Sequence, residues 1–231
     1  MVKGERKVAV AFSGGLDSSV VAKCAMRRSR VVACTVFAEG ALDSRRTEAA
    51  AKSLGVEILN RRINSDDLSA ALAGMSLPFE PTPMDKSLWC VYRWVATCAS
   101  DAGAKVLLLG QLADELFGGY AKYAEALKAS GEAAASSMMD EDLKSYFLRG
   151  RVRDFGACSG LVLPALPFEA EELRKFASEI PLSFKIRAGE RKAVLRRAAL
   201  LLGVPEEIAS APKKAAQYSS GVQKLIIRSH F

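Results

Sequence analysis

Two short strings of this chain could do chemistry. The first is Ser13-Gly14-Gly15-Leu16-Asp17-Ser18-Ser19, between an apolar run from Lys7 to Phe12 and a helix-like stretch from Val20 to Arg28. Without side chains, Gly14 and Gly15 can turn sharply and bring their N–H groups close to an anion. The hydroxyls of Ser13, Ser18 and Ser19 can donate to phosphate oxygens, and a helix entered at Ser18 aims its positive end at the same place. Asp17 is the odd member: a carboxylate beside polyphosphate needs a cation between the two, and magnesium, which takes oxygen ligands, suits that position. A plainer alternative is a strand-to-helix turn in which Asp17 or Ser18 caps the helix. The lysine of a G-x-x-x-x-G-K-S/T loop is missing, which argues against cleavage of a γ-phosphate.

The second string is Gly110-Gln111-Leu112-Ala113-Asp114-Glu115-Leu116-Phe117-Gly118-Gly119-Tyr120, directly after the apolar Val106 to Leu109. Adjacent carboxylates repel unless a cation or basic group lies nearby, so Asp114 is a second magnesium-ligand candidate facing Asp17. The alternative places Asp114 and Glu115 in the first turn of a helix, where the dipole favours them.

These strings need elements to hold them. Val8 to Phe12 shows no polar alternation and reads as a strand buried on both faces; Val31 to Phe37, Val56 to Leu59 and Lys105 to Gly110 are further strands. Helical segments over Arg45–Leu54, Asp66–Ala73 and Lys86–Ala102 separate them, and the three prolines of Leu77 to Pro83 demand an extended loop. Alternating strands and helices imply an α/β fold, a doubly wound parallel sheet with ligands at the carboxyl ends of its strands. From about Tyr120 the pattern turns helical: Ala121–Lys128, Met138–Arg151, Glu169–Glu179, Arg191–Leu202 and Pro205–Ser210, with the low-complexity Ala129–Ser137 as a flexible or exposed connection. We expect an α/β nucleotide-binding portion over 1–125 and a helical portion over 126–231 packed on it.

The 231 residues suffice for one large domain. No run of about 18 apolar residues occurs, and Met1 leads straight into a strand, so we expect neither a membrane span nor a signal peptide, and a cytoplasmic location. Five cysteines without a C-x-x-C pair argue against zinc, iron–sulfur and disulfide scaffolds. His230 is the one histidine, beside the C-terminus, which argues against a histidine base. The net charge of +7 is spread over dispersed basic pairs such as Arg191-Lys192 and Lys213-Lys214; it suits an anionic ligand and leaves RNA as a second thought.

The first string resembles the pyrophosphate loop of the N-type ATP pyrophosphatases, which split ATP between its α and β phosphates. The second resembles the G-x-G-A/S-D-E-L/V-F-G-G-Y signature of the synthetase domain of asparagine synthetase and its relative β-lactam synthetase. Glu190 to Arg196, Val204 to Ile208 and the stretch from Pro212 through Gln217 to Val222 are similar to that family's later marks, in the same order, and Leu163 to Phe168 echoes another. The resemblance implies an adenine nucleotide alpha hydrolase-like, Rossmann-like sheet and a two-step amide ligase using ATP and Mg2+. A carboxylate, aspartate-like, would attack the α-phosphate, and ammonia or another amine would then displace AMP.

By the same resemblance Asp17 and Asp114 hold magnesium, Ser13, Gly14, Gly15, Ser18 and Ser19 hold pyrophosphate, and Lys192 reaches it, unless Lys192 is a solvated helix charge. Val36, Leu109 and Gly110 line the nucleotide site. Implied partners are a separate glutamine amidotransferase, a second copy of the chain in a homodimer, or, further down, tRNA. Two readings compete: an ATP pyrophosphatase modifying a nucleobase or tRNA, and a non-catalytic nucleotide-binding subunit. Because Met1-Val2 leads straight into the first strand, we expect no N-terminal glutaminase domain; the chain also departs from the family in Leu112, where the motif has glycine, and in Gln111, where asparagine synthetases carry a glutamate. Glutamine cannot titrate, so either the nucleophile arrives already neutral, Glu115 or another base takes its proton, or the product is not asparagine.

Overall fold

Five strands carry the site: β1 (Lys7–Ala11), β2 (Arg30–Ala38), β3 (Glu57–Ile63), β4 (Val106–Leu108) and β5 (Leu163–Ala165). In this computed structural model, which describes residues 7–38, 44–212 and 221–228, they form one sheet in the order β3-β2-β1-β4-β5, every neighbour parallel. The doubly wound sheet expected from the alternation is therefore present. Valines and alanines of β1 meet those of β2, Val8 beside Val31 and Val10 beside Ala33, and are buried because helices cover both faces. Strand order reverses between β1 and β4, and such a switch point opens a crevice beyond the carboxyl ends. Both strings leave the sheet there.

The crossovers are α1 (Leu16–Met26), α2 (Ser44–Leu54), and α3 (Ser65–Ala73) with α4 (Pro83–Asp101). Helix α4 begins at Pro83, three residues before the sequence pattern placed it. Proline is at home in a first turn, and Thr82 and Asp85 form a reciprocal capping box. Strand β5 is not evident from sequence: it is three residues long, contains Pro164 and lies at the sheet edge, where a missing N–H is tolerated.

Beyond the sheet come α5 (Ala113–Phe117), α6 (Ala121–Ser130), α7 (Glu132–Ser145), a π-helical turn over Tyr146–Gly150 and α8 (Arg151–Cys158). The stretch Ala129–Ser137, expected as a flexible connection, is mostly helix. Only Gly131, at φ +86°, breaks it, and alanine is the best helix former. Next are α9 (Glu171–Glu179), α10 (Leu182–Lys185), an antiparallel pair β6 (Ile186–Arg187) and β7 (Glu190–Arg191), α11 (Ala193–Leu201), α12 (Glu206–Ala209) and a helix over Val222–Arg228. The helix expected from Arg191 thus starts at Ala193, because Arg191 pairs in β7 and Lys192 is left-handed at φ 58°. One buried apolar core runs from β1 through α4 and α8 to Val222 and Ile226. Lys213-Lys214, Gln217–Ser220 and His230 lie outside the described residues. All five cysteines are free thiols, and no described helix is long and apolar enough to cross a membrane.

Candidate active site

After β1 the chain turns against α2. Gly14 sits at φ +69°, and a Cβ there would lie 3.0 Å from the Thr47 Cα, so both its dihedral and its neighbour call for glycine. Thr47 Oγ1 donates to the Ser13 carbonyl at 3.3 Å, tying the loop to α2. Gly15 is the N-cap of α1 and receives no side-chain cap, so neither Asp17 nor Ser18 caps the helix. Instead the Ser13 and Ser18 hydroxyl oxygens stand 3.2 Å apart, and the Ser13 and Gly15 amides donate to hydroxyls within the loop. Ser13, Asp17 and Ser18 line a cavity of about 670 Å³. Ser19 does not: it is fully buried, and its hydroxyl has no partner among the described residues.

Asp17 and Asp114 meet at Lys192. The ammonium lies 2.6 Å from both Asp17 oxygens and 2.7 Å from Asp114 Oδ1. Lys192 is 4% exposed, so it is no solvated helix charge. Burial works against its charge, but Asp17 and then Asp114 outweigh it and hold its pKa above the ordinary lysine value. The left-handed turn between β7 and α11 delivers this side chain, which lies 175 residues from Asp17 in sequence.

The second string fits around the same ammonium. Gly118, at φ +73°, ends α5, and a Cβ on Gly119 would fall 1.8 Å from Asp114 Oδ1 and 2.2 Å from Lys192 Cε. Arg191 Nη1 donates to the Gly119 carbonyl at 3.0 Å. A Cβ on Gly110 would lie 3.3 Å from both Asp17 Cβ and the Ser18 nitrogen, so β4 and α1 nearly touch at their ends. Leu112 adopts φ +75°, a left-handed conformation that costs a branched residue about 1–2 kcal/mol and that the family's glycine takes freely. Its side chain is 1% exposed and packs in the core. Asp114 and Glu115 do occupy the first turn of α5. Burial, and then the adjoining Asp114 carboxylate, push the Glu115 carboxyl up to about 7, against a hydrogen bond of 2.8 Å from the Tyr120 hydroxyl.

Across the cavity stands a cluster with no local sequence signal. Gln111 Nε2 donates to Asp154 Oδ2 at 2.8 Å, as does the Tyr146 hydroxyl at 3.0 Å. Arg153 donates from Nε to Asp154 Oδ1 at 2.8 Å and from Nη1 to Asp85 Oδ1 at 3.1 Å. Arg149 reaches Asp85 Oδ2 at 3.3 Å and stacks 4.0 Å from the Phe79 ring. Burial raises the Asp85 carboxyl, but hydrogen bonds from Thr82 and Arg153 outweigh it and leave the group below the usual carboxylate range. The π-helical turn aims Tyr146 and Arg149 inward; Gly150 leaves room for the Tyr146 ring, whose Cδ2 would sit 2.5 Å from a Cβ there. Helix α4 adds Asp85, Leu88, Val91, Tyr92 and Val95 to the cavity lining.

Of the expected site residues, Ser13, Asp17, Ser18, Val36, Gly110, Gln111, Asp114 and Glu115 share this cavity wall. Lys192 lies just behind Asp17 and Asp114. Leu109 is fully buried behind β4, its N–H bonded to the Ala165 carbonyl. Sequence reasoning missed Asp85, Tyr146, Arg153, Asp154 and Gly119; of these only Gly119 carried a signal, as the second glycine of Gly118-Gly119.

The chain spans about half or less of the length of the curated relatives it matches. It is 29% identical, over 98% of its length and 48% of theirs, to a Methanocaldococcus jannaschii protein provisionally named as a glutamine-hydrolysing asparagine synthetase. A Mycobacterium tuberculosis protein with a similar provisional name shares 31% identity over 54% of this chain and 20% of its own length. A solved structure from M. jannaschii, described as a predicted subunit of tRNA methyltransferase, aligns over 87% of this chain and 91% of that one at 18% identity and a TM-score of 0.38, a likeness too loose to speak to activity. The asparagine synthase family model matches residues 1–164 and 162–229. With both strings and nearly the whole length accounted for, this chain belongs to the asparagine synthase family.

Proposed function

We propose that the chain is an ATP-dependent, AMP-forming amide ligase. A carboxylate oxygen, aspartate-like, forms a bond to the α-phosphorus; the bond to the β-phosphate breaks and pyrophosphate leaves. An amine nitrogen then attacks the acyl carbon, AMP departs, and the nitrogen gives up a proton. The observation carrying this reading is the meeting of Asp17, Asp114 and Lys192 beside the Ser13–Ser19 loop, at the switch point between β1 and β4. Ser13 and Ser18 would donate to phosphate oxygens, while Lys192 offsets charge building on the leaving pyrophosphate. Asp17 from the portion over 1–125 and Lys192 from that over 126–231 make the two act as one unit.

The residues fit magnesium. Two carboxylates, 23% and 17% exposed, offer oxygen, and because the point on which they converge holds the Lys192 ammonium, an ion would share them with that lysine. Among the described residues no three metal-ligating side chains gather, so phosphate oxygens and water would complete the coordination of an ion held by Asp17 and Asp114. When bound, magnesium supplies charge neutralisation between these carboxylates and the triphosphate. Glu115, which lines the same cavity, is our candidate for taking the nucleophile's proton. A relative of this chain is named as glutamine-hydrolysing, and ammonia in the cytoplasm, free or from an amidotransferase partner, is the nitrogen source we favour.

The test is exchange of labelled pyrophosphate into ATP across a panel of amino acids, followed by AMP release on adding ammonium. Aspartate-dependent exchange with asparagine formation is the expected result. Absence of exchange with every carboxylate, while magnesium-ATP still binds, sinks the proposal.

A further inference from the structure

Gln111 has two polar ends, and only one is in use. Its nitrogen donates to Asp154, whose carboxylate is fully buried and accepts from Tyr146 and Arg153 as well. An ionised carboxylate can only accept, and a guanidinium can only donate, so this arrangement leaves one orientation for the Gln111 amide. The other end, Oε1, accepts from no described group and is not enclosed by protein; Gln111 itself lines the cavity. Beside it the Tyr146 hydroxyl has spent its proton on Asp154 and turns an oxygen, not a donor, to any neighbour. Behind both lies the Asp154 carboxylate, whose charge Arg153 balances.

We propose that Asp154 is a positioning residue: it holds the Gln111 carboxamide with its oxygen toward the cavity, so that this end of the site takes an ammonium or primary amine. The assignment of that amine to a reaction rests on the amide-ligase reading. It would be either the α-ammonium of an amino-acid substrate or the attacking nitrogen.

The orientation is tested without turnover. Full-length protein with magnesium-ATP is titrated with methylammonium chloride, with sodium acetate as control, following the Gly110 backbone amide in proton–nitrogen correlation spectra. Methylammonium should move the signal and acetate should not. Asp154→Asn offers Gln111 a donor and turns its amide round, and should weaken methylammonium binding by about tenfold or more. If that variant does not fold, Gln111→Leu, which removes the acceptor and keeps the ion cluster, should weaken it likewise. No response to methylammonium, or an equal response in the variant that folds, overturns the proposal.

Turnover then separates the sources. In Asp154→Asn, a KM for aspartate raised in pyrophosphate exchange, with that for succinate unmoved, marks the α-ammonium. A raised KM for ammonium in amide formation, beyond any change in exchange, marks the nucleophile. Both KM values unchanged with only kcat lower would mean a merely structural Asp154 and overturn the proposal. Absence of exchange with any carboxylate sinks the ligase reading alone, since the methylammonium titration still decides the orientation.

Discussion

Two clusters in this molecule place one cation between two carboxylates, and they differ in the cation and in its access. Lys192 bridges Asp17 and Asp114 on the wall of the cavity, where the acid side chains are 23% and 17% exposed. Arg153 bridges Asp85 and Asp154, which are 8% and 0% exposed. An ammonium is a point charge on a flexible stem that can follow a changing anion; a guanidinium is a rigid fork that locks the groups it holds. The first arrangement opens to the cavity through both of its acids; in the second Asp85 and Arg153 touch the cavity but Asp154 is enclosed, and the guanidinium is tied to both carboxylates. Stoichiometry alone does not tell a binding cluster from a scaffold; access and the choice of base do.

Removing each cation breaks the comparison most directly. Arg153→Met leaves buried Asp154 without a guanidinium and Asp85 with Arg149 alone, and should lower unfolding stability by about 3–5 kcal/mol, with or without magnesium. Lys192→Gln should cost a similar amount without magnesium and recover part of it when the ion is added, because Asp17 and Asp114 can be reached. Thermal unfolding of both variants with and without the ion decides this; recovery in both, or in neither, would erase the distinction.

Removing an anion from the accessible cluster should act on rate. Asp17→Asn is expected to lower AMP formation by about 10²–10³-fold, measured under conditions where the variant is folded. Full turnover in this variant would remove Asp17 from the site.

Gln111→Glu joins the two sides. By family precedent it restores a glutamate, but here it sets a second carboxylate 2.8 Å from Asp154 in place of a donor. It should cost about 1–3 kcal/mol of stability, and Gln111→Glu with Asp154→Asn should be more stable than Gln111→Glu alone. Chemical denaturation of the three variants measures the coupling. If the effects simply add, the two side chains do not share a hydrogen bond.

The smallest effect is on pH dependence. The folded Asp85 carboxyl titrates below its ordinary value of 3.8, so the unfolded chain binds more protons in that window. Its contribution is complete above the ordinary value and is lost as pH falls through the folded one. Asp85→Asn should therefore flatten the acid limb of the stability profile, and an unchanged limb would mean that Asp85 gains nothing from Thr82 and Arg153.

The accessible cluster was largely legible in the sequence and the closed one was not. Strand β1 and its loop announce themselves because a doubly buried strand has no polar alternation and because glycines mark the turn. Gly110 to Tyr120 likewise concentrates its unusual residues in one string. By contrast, Arg153 and Asp154 are charges within a helix, a pattern that ordinarily means a solvated face, and their partner Asp85 is 68 residues from Arg153. Nothing local reports a contact at that distance. Strand β5 was hidden by its brevity and its proline, and Ser19 fits the phosphate loop by type yet turns into the core because α1 rotates it there.

The 175 residues between Asp17 and Lys192 also set an order of birth. At about 5–20 residues per second, a ribosome needs roughly 10–35 s to travel from one to the other. During that interval β1, β2, β3 and β4 can emerge and pair, so the Ser13–Ser19 loop exists before the lysine that faces Asp17. A growing chain thus presents Asp17 and Asp114 well ahead of the ammonium they hold, and the cluster is completed only once the turn after β7 has been made.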